Sequence, residues 1–286
     1  MARVKYVGTV TEWEKEFLRL FNQLTYSRSA WQVWEDLMTV MACSICNAVD
    51  RRKEPFERRE KQYERAIKDL GNVDIPAQIF GIIVRALDEN PNQDFLGRIY
   101  MNLNLGSHWH GQFFTPYHIC ELMAKLQIGE ECQSEIEKKG YISVCDPCVG
   151  AGAMLIAAAA AFREFKVNYQ TNVLFVGQDV DPVVAKMAYI QISLLGCPGY
   201  VTIGNSLTNP QTGHELFPEE NEGQELWITP LFMHQAWETR RTGEQMRVLM
   251  QSLFNDSGDA KKTMEKGRCF MFFDFNDKEE KRWEKM

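Results

Sequence analysis

The stretch Asp146-Pro147-Cys148-Val149-Gly150-Ala151-Gly152 constrains what this chain can fold into more than any other. A short β-type run, residues 141–145, leads into it, and Met154-Leu155-Ile156 followed by five alanines and Phe162 leads away. That order is strand, glycine loop, helix. Glycines let a ligand approach the backbone closely, and the first turn of a helix offers N–H groups with no intrahelical partner. In α/β folds, strand ends of this kind are where nucleotide-like ligands bind.

The remaining pattern extends the same architecture. Residues 173–177, 200–203 and 225–228 are short apolar runs, and helical periodicity carrying Val184, Met187, Ala188, Gln191 and Leu195 separates the first two. Strands alternating with helices at this spacing predict a doubly wound, mostly parallel sheet with helices on both faces. Residues 1–110 read differently. Trp13, Phe17, Leu20, Phe21 and Leu24 recur at three- and four-residue spacing, then Trp31, Trp34, Met38, Met41 and Ile45, then a further apolar segment over residues 75–87. An all-helical N-terminal domain over 1–110, followed by an α/β domain over 111–286, is the expected division. Ser27 or Ser29 is expected to cap the second helix. Thr115 or Pro116 opens another, with Ile119, Leu122, Met123 and Leu126 as its buried stripe. The tail holds a helix with Met246, Leu249, Met250 and Leu253 on one side, a strand-like run over 269–275, and a charged end.

Composition removes several alternatives. No apolar run approaches the length needed to cross a bilayer, and the N-terminus shows no apolar signal region, so a cytoplasmic protein is expected. A net charge of −7 argues against a dedicated nucleic-acid coat. Residues 51–65 hold seven basic and four acidic side chains, which reads as a solvated helix. The eight cysteines include two C-x-x-C pairs, Cys43/Cys46 and Cys145/Cys148. Structural zinc needs four convergent ligands; one pair sits in a helical pattern and the other in the glycine loop, so no metal is expected. His108, His110 and His118 match no metal motif, and a loop role is the safer reading for His108 and His110.

The ligand of the glycine loop follows from its charges. A dinucleotide loop wants a third glycine where Leu155 stands, and Asp146 would repel a pyrophosphate. No triphosphate loop is present. S-adenosylmethionine fits better: its ammonium and sulfonium suit a carboxylate at Asp146, and its ribose hydroxyls suit one at Asp179. Asn205 both donates and accepts, which suits an adenine edge.

These stretches together resemble the N6-adenine DNA methyltransferase family, in particular the modification subunits of type I restriction–modification systems. Gly111-Gln112-Phe113-Phe114-Thr115-Pro116 is similar to the family's G-Q-F-[FY]-T-P segment, and residues 146–152 to its D-P-x-x-G-x-G loop. Gly177-Gln178-Asp179 resembles its ribose-binding strand end, with Asp for Glu. Gly204-Asn205-Ser206-Leu207 resembles G-D-[ST]-L, with Asn for Asp. The resemblance covers residues 94–207 and implies a class I methyltransferase (Rossmann-like) sheet. It implies that Phe114, Thr115, Pro116, Asp146, Pro147, Gly150, Gly152, Asp179, Asn205 and Ser206 contact S-adenosylmethionine. The family's [DNS]-P-P-[YFW] motif follows a fourth strand and holds a flipped-out base. Thr229-Pro230-Leu231-Phe232 stands at the corresponding place, a degenerate version in which Thr229, Pro230 and Phe232 are the candidate transfer residues. Asn209-Pro210 leaves no room for the strand that should precede the motif.

Nothing after Phe232 is large enough to recognise a DNA sequence, so contact with DNA through a separate specificity or partner subunit is expected. Arg240, Arg241 and Arg247 are candidate phosphate contacts, and a surface helix explains them equally well. The functions to separate are adenine-N6 methyl transfer in DNA, methyl transfer to a protein or RNA nitrogen, and a cofactor-binding or regulatory partner that has lost turnover.

Overall fold

A computed structural model describes residues 10–26, 28–105, 113–129, 131–255 and 269–271, the last three and 251–255 as backbone. His108, His110, Gly111, Gln112 and residues 272–286 lie outside the described residues.

Five helices come first: α1 (Glu12–Leu24), α2 (Ala30–Val49), α3 (Lys53–Leu70), α4 (Asp74–Glu89) and α5 (Phe95–Asn102). Thr11 and Glu14 close a capping box on α1, and Ser29 with Gln32 does the same for α2. Each satisfies two N–H groups that the first turn leaves unpaired. Gly71 ends α3 at φ +64°, a left-handed conformation open to glycine at little cost. Next come α6 (Tyr117–Gln127), α7 (Glu131–Lys139), β1 (Ile142–Asp146), α8 (Ala153–Glu164) and the single turn α9 (Tyr169–Asn172). β2 (Val173–Asp179), α10 (Pro182–Leu194) and β3 (Gly199–Ile203) follow. A small hairpin, β4 (Gly213–His214) with β5 (Phe217–Pro218), precedes β6 (Glu225–Ile228). A 3-10 turn (Pro230–Met233), α11 (Gln235–Asn255) and β7 (Cys269–Met271) complete the described chain.

The main sheet has the order β6-β3-β2-β1-β7. β1, β2, β3 and β7 are parallel, and β6 runs antiparallel at the edge beside β3. The α/β expectation holds, with one reversed strand. Side chains along a strand alternate between faces, and β2 shows what each face meets. Val173 and Phe175 join the core that includes the N-terminal helices, α8 and α10, whereas Leu174 and Val176 join a second core with Phe232 and Trp237. Both faces are therefore covered.

The helical segment and the sheet share the first of these cores. α2 lies against α10, where Trp34 Nε1 donates to Met187 Sδ at 3.4 Å. Cys43 and Cys46 are buried in α2, as packing residues should be, and Cys46 Sγ lies 3.9 Å from the Ile228 carbonyl of β6.

Two expectations about buried faces fail. In α6 the buried residues are Cys120 and Ala124, while Ile119, Leu122 and Leu126 are exposed. α6 packs on alanine-rich α8, and small residues on both sides leave no depth for larger side chains. In α3, Arg59 is fully buried, so the charge-rich stretch is not a wholly solvated helix. Among the described residues, no single helix is long and apolar enough to cross a membrane. No group of three metal-ligating side chains is gathered there either.

Candidate ligand site at the strand ends

Asp146 and Asp179 close β1 and β2 at their carboxyl ends, two neighbouring strands of the sheet. The loop between β1 and α8 is tied to the end of β2 by two backbone N–H groups. Val149 N donates to the Gln178 carbonyl at 2.9 Å, and Gly150 N donates to Asp179 Oδ2 at 2.8 Å. Asp179 also accepts from Asp181 N through Oδ1, and Asp146 Oδ1 accepts from Cys148 N, each at 3.0 Å. The loop can descend this far because Gly177 has no side chain: a Cβ there would meet Val149 at 3.0 Å.

The two loop glycines have separate reasons. Gly152 sits at φ +95°, and a Cβ on it would lie 3.1 Å from Ala188 Cα on α10. Gly150 sits at φ +51°, and a Cβ on it would face the Phe114 ring at 3.4 Å. Phe114, distant in sequence, is thus brought against the loop. Its ring stacks on Tyr100 of α5, with centroids 5.5 Å apart and planes 23° apart. Tyr100 has no place among the sequence-derived candidates. Its buried position in an apolar helix gave no local sign of contact with the loop. Thr115 is exposed, and Pro116 precedes the first turn of α6.

The electrostatics favour a cation. Asp146 is 2% exposed, and burial, with the charge of Asp179 adding to it, pushes its carboxyl up to about 6. Burial also raises Asp179, against the pull of its backbone donors. Two neighbouring carboxylates, both raised, make a site that a positive group relieves. At the end of β3, Asn205 is exposed and its Oδ1 accepts from Leu207 N at 2.9 Å and Thr208 N at 3.1 Å. The amide oxygen is spent on the turn. Ser206 is half-buried in the same turn.

Thr229, Pro230 and Phe232 are not brought to this end. Because β6 is antiparallel, Ile228 pairs with Tyr200 at the start of β3, while Asp179 pairs with Ile203 at its end. The three-residue offset along β3 corresponds to roughly 10 Å. Thr229 is fully buried; its Oγ1 accepts from Gly199 N at 2.9 Å and donates to the Cys197 carbonyl at 2.8 Å. Pro230 starts the 3-10 turn, and Phe232 packs between Tyr200 and Trp237. The chain between β3 and β6 returns through the β4–β5 hairpin and reverses direction, which sets residues 229–232 at the opposite end of the sheet from Asp146 and Asp179. Beside β1 on its other side lies β7, with Met271 opposite Cys145. The three arginines are engaged as well. Arg240 donates to the Gly140 carbonyl, Arg241 to that of Phe232, and Arg247 pairs with Glu244.

The sequence profile of the N-6 DNA methylase family matches residues 67–265. No curated protein matches the chain. Among solved structures it is similar to the type I restriction–modification system methyltransferase subunit from Streptococcus thermophilus. The TM-score is 0.37 at 15% identity, over 70% of this chain and 60% of that one. It is also similar to a Listeria monocytogenes protein assigned to the class I S-adenosylmethionine-dependent methyltransferases. Here the TM-score is 0.33 at 16% identity, over 68% and 55% of the two chains. The chain thus spans less than two thirds of the length of either structure. With the family profile covering well over half of its residues, the chain belongs to the N-6 DNA methylase family.

Proposed function

We propose that the chain binds S-adenosylmethionine over the carboxyl ends of β1, β2 and β3 and serves adenine-N6 methylation of DNA together with a separate specificity subunit. One observation carries the ligand half: the Phe114 ring lies over Gly150, whose N–H is held by the Asp179 carboxylate. A glycine cradle walled by an aromatic ring and flanked by two raised carboxylates matches a cationic, ribose-bearing molecule. In this reading Asp146 takes the ammonium end, Asp179 the ribose hydroxyls, and Phe114, Thr115 and Pro116 close the methionine side. Pro147, Gly150 and Gly152 shape the loop, and Asn205 and Ser206 border the base. Bound there, the molecule supplies an electrophilic methyl group on a positively charged sulfur.

The second reading, a cofactor-binding partner without turnover, has its own support. The sequence contains no Pro-Pro pair, and Thr229 to Phe232 sit at the far end of the sheet. Calorimetry with S-adenosylmethionine tests the shared part, and absence of binding at millimolar ligand sinks both. Labelled S-adenosylmethionine with duplex DNA and any co-purified subunit separates them. Methyl incorporation supports transfer; tight binding without incorporation supports the partner reading.

Two outcomes follow at this site. Cys148 is exposed on the loop, whereas Cys43, Cys46, Cys120, Cys132 and Cys197 are buried. A maleimide should therefore modify Cys148 readily, and saturating S-adenosylmethionine should slow that reaction severalfold, read by peptide mass spectrometry. Labelling that ignores the ligand would put the ligand elsewhere. Thr229→Val should lower stability by about 1–3 kcal/mol, because it strands the Gly199 N–H and the Cys197 carbonyl in the core. Affinity for S-adenosylmethionine should not change. A variant of full stability that has lost only methyl transfer would return Thr229 to the catalytic site.

A further inference from the structure

Gln191 lies in the middle of the molecule on α10, fully buried, and its side-chain amide joins three segments far apart in sequence. Its Nε2 donates to the Ala151 carbonyl of the glycine loop at 2.9 Å and to Asp94 Oδ1 at 2.7 Å. Its Oε1 accepts from Leu96 N at 3.0 Å. Two acceptors on one side and a backbone donor on the other leave a single orientation for the amide. Asp94 is the N-cap of α5, accepting from Gly97 N at 2.8 Å, so Gln191 and Asp94 together satisfy the first turn of that helix. Gly97 is required there, since a Cβ on it would lie 2.0 Å from Asp94 Oδ2.

The far half of α5 carries Tyr100, which stacks on Phe114, which in turn lies over Gly150. The connections form a closed ring: Ala151, Gln191, the start of α5, Tyr100, Phe114, and back to Gly150. One residue of the loop, Ala151, is held by the amide, and its neighbour Gly150 faces the aromatic ring.

We propose that Gln191 is a positioning residue for the ligand site, setting the glycine loop and the aromatic arm of α5 at a fixed separation. The ligand consequence rests on the function proposed above; the effect on the loop does not. A structural packing role and a positioning role predict different orders among variants. Gln191→Met keeps shape and loses all three bonds. Gln191→Glu keeps shape and the acceptor for Leu96 N, and turns a carboxylate oxygen toward Asp94 and the Ala151 carbonyl, where a donor is needed. Positioning predicts that Glu is the more damaging to the loop, and packing alone predicts that Met is.

The measurements are the maleimide labelling rate of Cys148 in ligand-free protein and the Kd for S-adenosylmethionine by calorimetry. Ile83→Val, a buried change in α4, serves as a control for general loosening. Gln191→Met should speed Cys148 labelling and weaken binding on the order of tenfold, the size of losing a buried hydrogen-bond partner, and Gln191→Glu should do more. The control should do neither. In combination with Phe114→Ala the losses in affinity should be less than multiplicative, since both substitutions release the same loop. Unchanged labelling in both Gln191 variants overturns the proposal, as does equal acceleration in the control. If wild-type protein fails to bind S-adenosylmethionine while the Gln191 variants still expose Cys148, the ligand assignment falls and the positioning role stands. Should Gln191→Glu not fold, Gln191→Met against the control decides the matter.

Discussion

Replacing Asp146 with asparagine should make the ligand-free protein more stable at neutral pH and remove most of its affinity for S-adenosylmethionine. The carboxyl is 2% exposed and is pushed up to about 6 by burial, with the charge of Asp179 adding to it. Its ordinary value is 3.8. Above pH 6 the group is ionised in folded and unfolded chains alike, and the folded state carries the cost of a buried charge. An upward shift of this size corresponds to about 3 kcal/mol against folding. As pH falls from about 6 toward 4 the folded protein takes up the proton first, and the cost disappears. The ligand-free wild type should thus gain stability from this group on mild acidification. Asparagine keeps the bond to Cys148 N and carries no charge, so Asp146→Asn should raise Tm by several degrees at pH 7.5, and less at pH 5.

Binding should respond in the opposite sense. A buried carboxylate facing a ligand cation is worth about 2–5 kcal/mol when its partner is truncated, or some thirtyfold to several thousandfold in Kd. Wild-type affinity should also weaken as pH drops through about 6, while that of the variant stays flat. Differential scanning fluorimetry and calorimetry at both pH values read the two halves separately. A lower Tm for Asp146→Asn, or an unchanged Kd, would remove Asp146 from the ligand site. Stability given up at one position in return for binding is what a preorganised charged site requires.

Much of this site is legible along the chain because its determinants are local. Gly150 and Gly152 adopt positive φ in a seven-residue loop, and acids close two apolar runs. The capping boxes at Thr11 and Ser29 are likewise contained within four residues. What escapes is decided by distant partners. A four-residue strand such as Glu225–Ile228 has the same pattern whether it runs parallel or antiparallel, and here the hairpin before it sets the direction. That one reversal sets Thr229 and Phe232 at the end of the sheet opposite Asp146 and Asp179. Gln191 falls on the helical face read from the sequence, but its bonding role is hidden for the same reason: its three partners are residues 94, 96 and 151. The small-residue stripe of α6 is visible only beside the alanines of α8.

Arg59→Met should cost about 3 kcal/mol and lower Tm by about 6–12 °C. Arg59 is fully buried, its Nε donating to Asn47 Oδ1 at 2.6 Å and its Nη2 lying 3.0 Å from both the Asp50 carbonyl and Asp50 Oδ2. Its guanidinium also faces the Trp227 ring of β6, with the centroid 5.9 Å away. Burial pushes the Asp50 carboxyl up, and Arg52 and Arg59 more than reverse it, so it titrates below the usual carboxylate range. Methionine fills the space and strands Asn47 Oδ1 while depriving buried Asp50 of one of two cations. Arg52, bonded to both Asp50 oxygens at 2.9 Å, keeps the loss toward the lower end of what breaking a buried ion pair costs. Because Arg59 joins α2 and α3 to the edge of the sheet, the loss should reach both parts of the chain together. Far-UV circular dichroism, dominated by the helices, and tryptophan fluorescence, which includes Trp227, should shift by the same amount in urea. A variant whose helices melt while the fluorescence transition stays in place would show that the helical segment and the sheet unfold separately, despite the core they share.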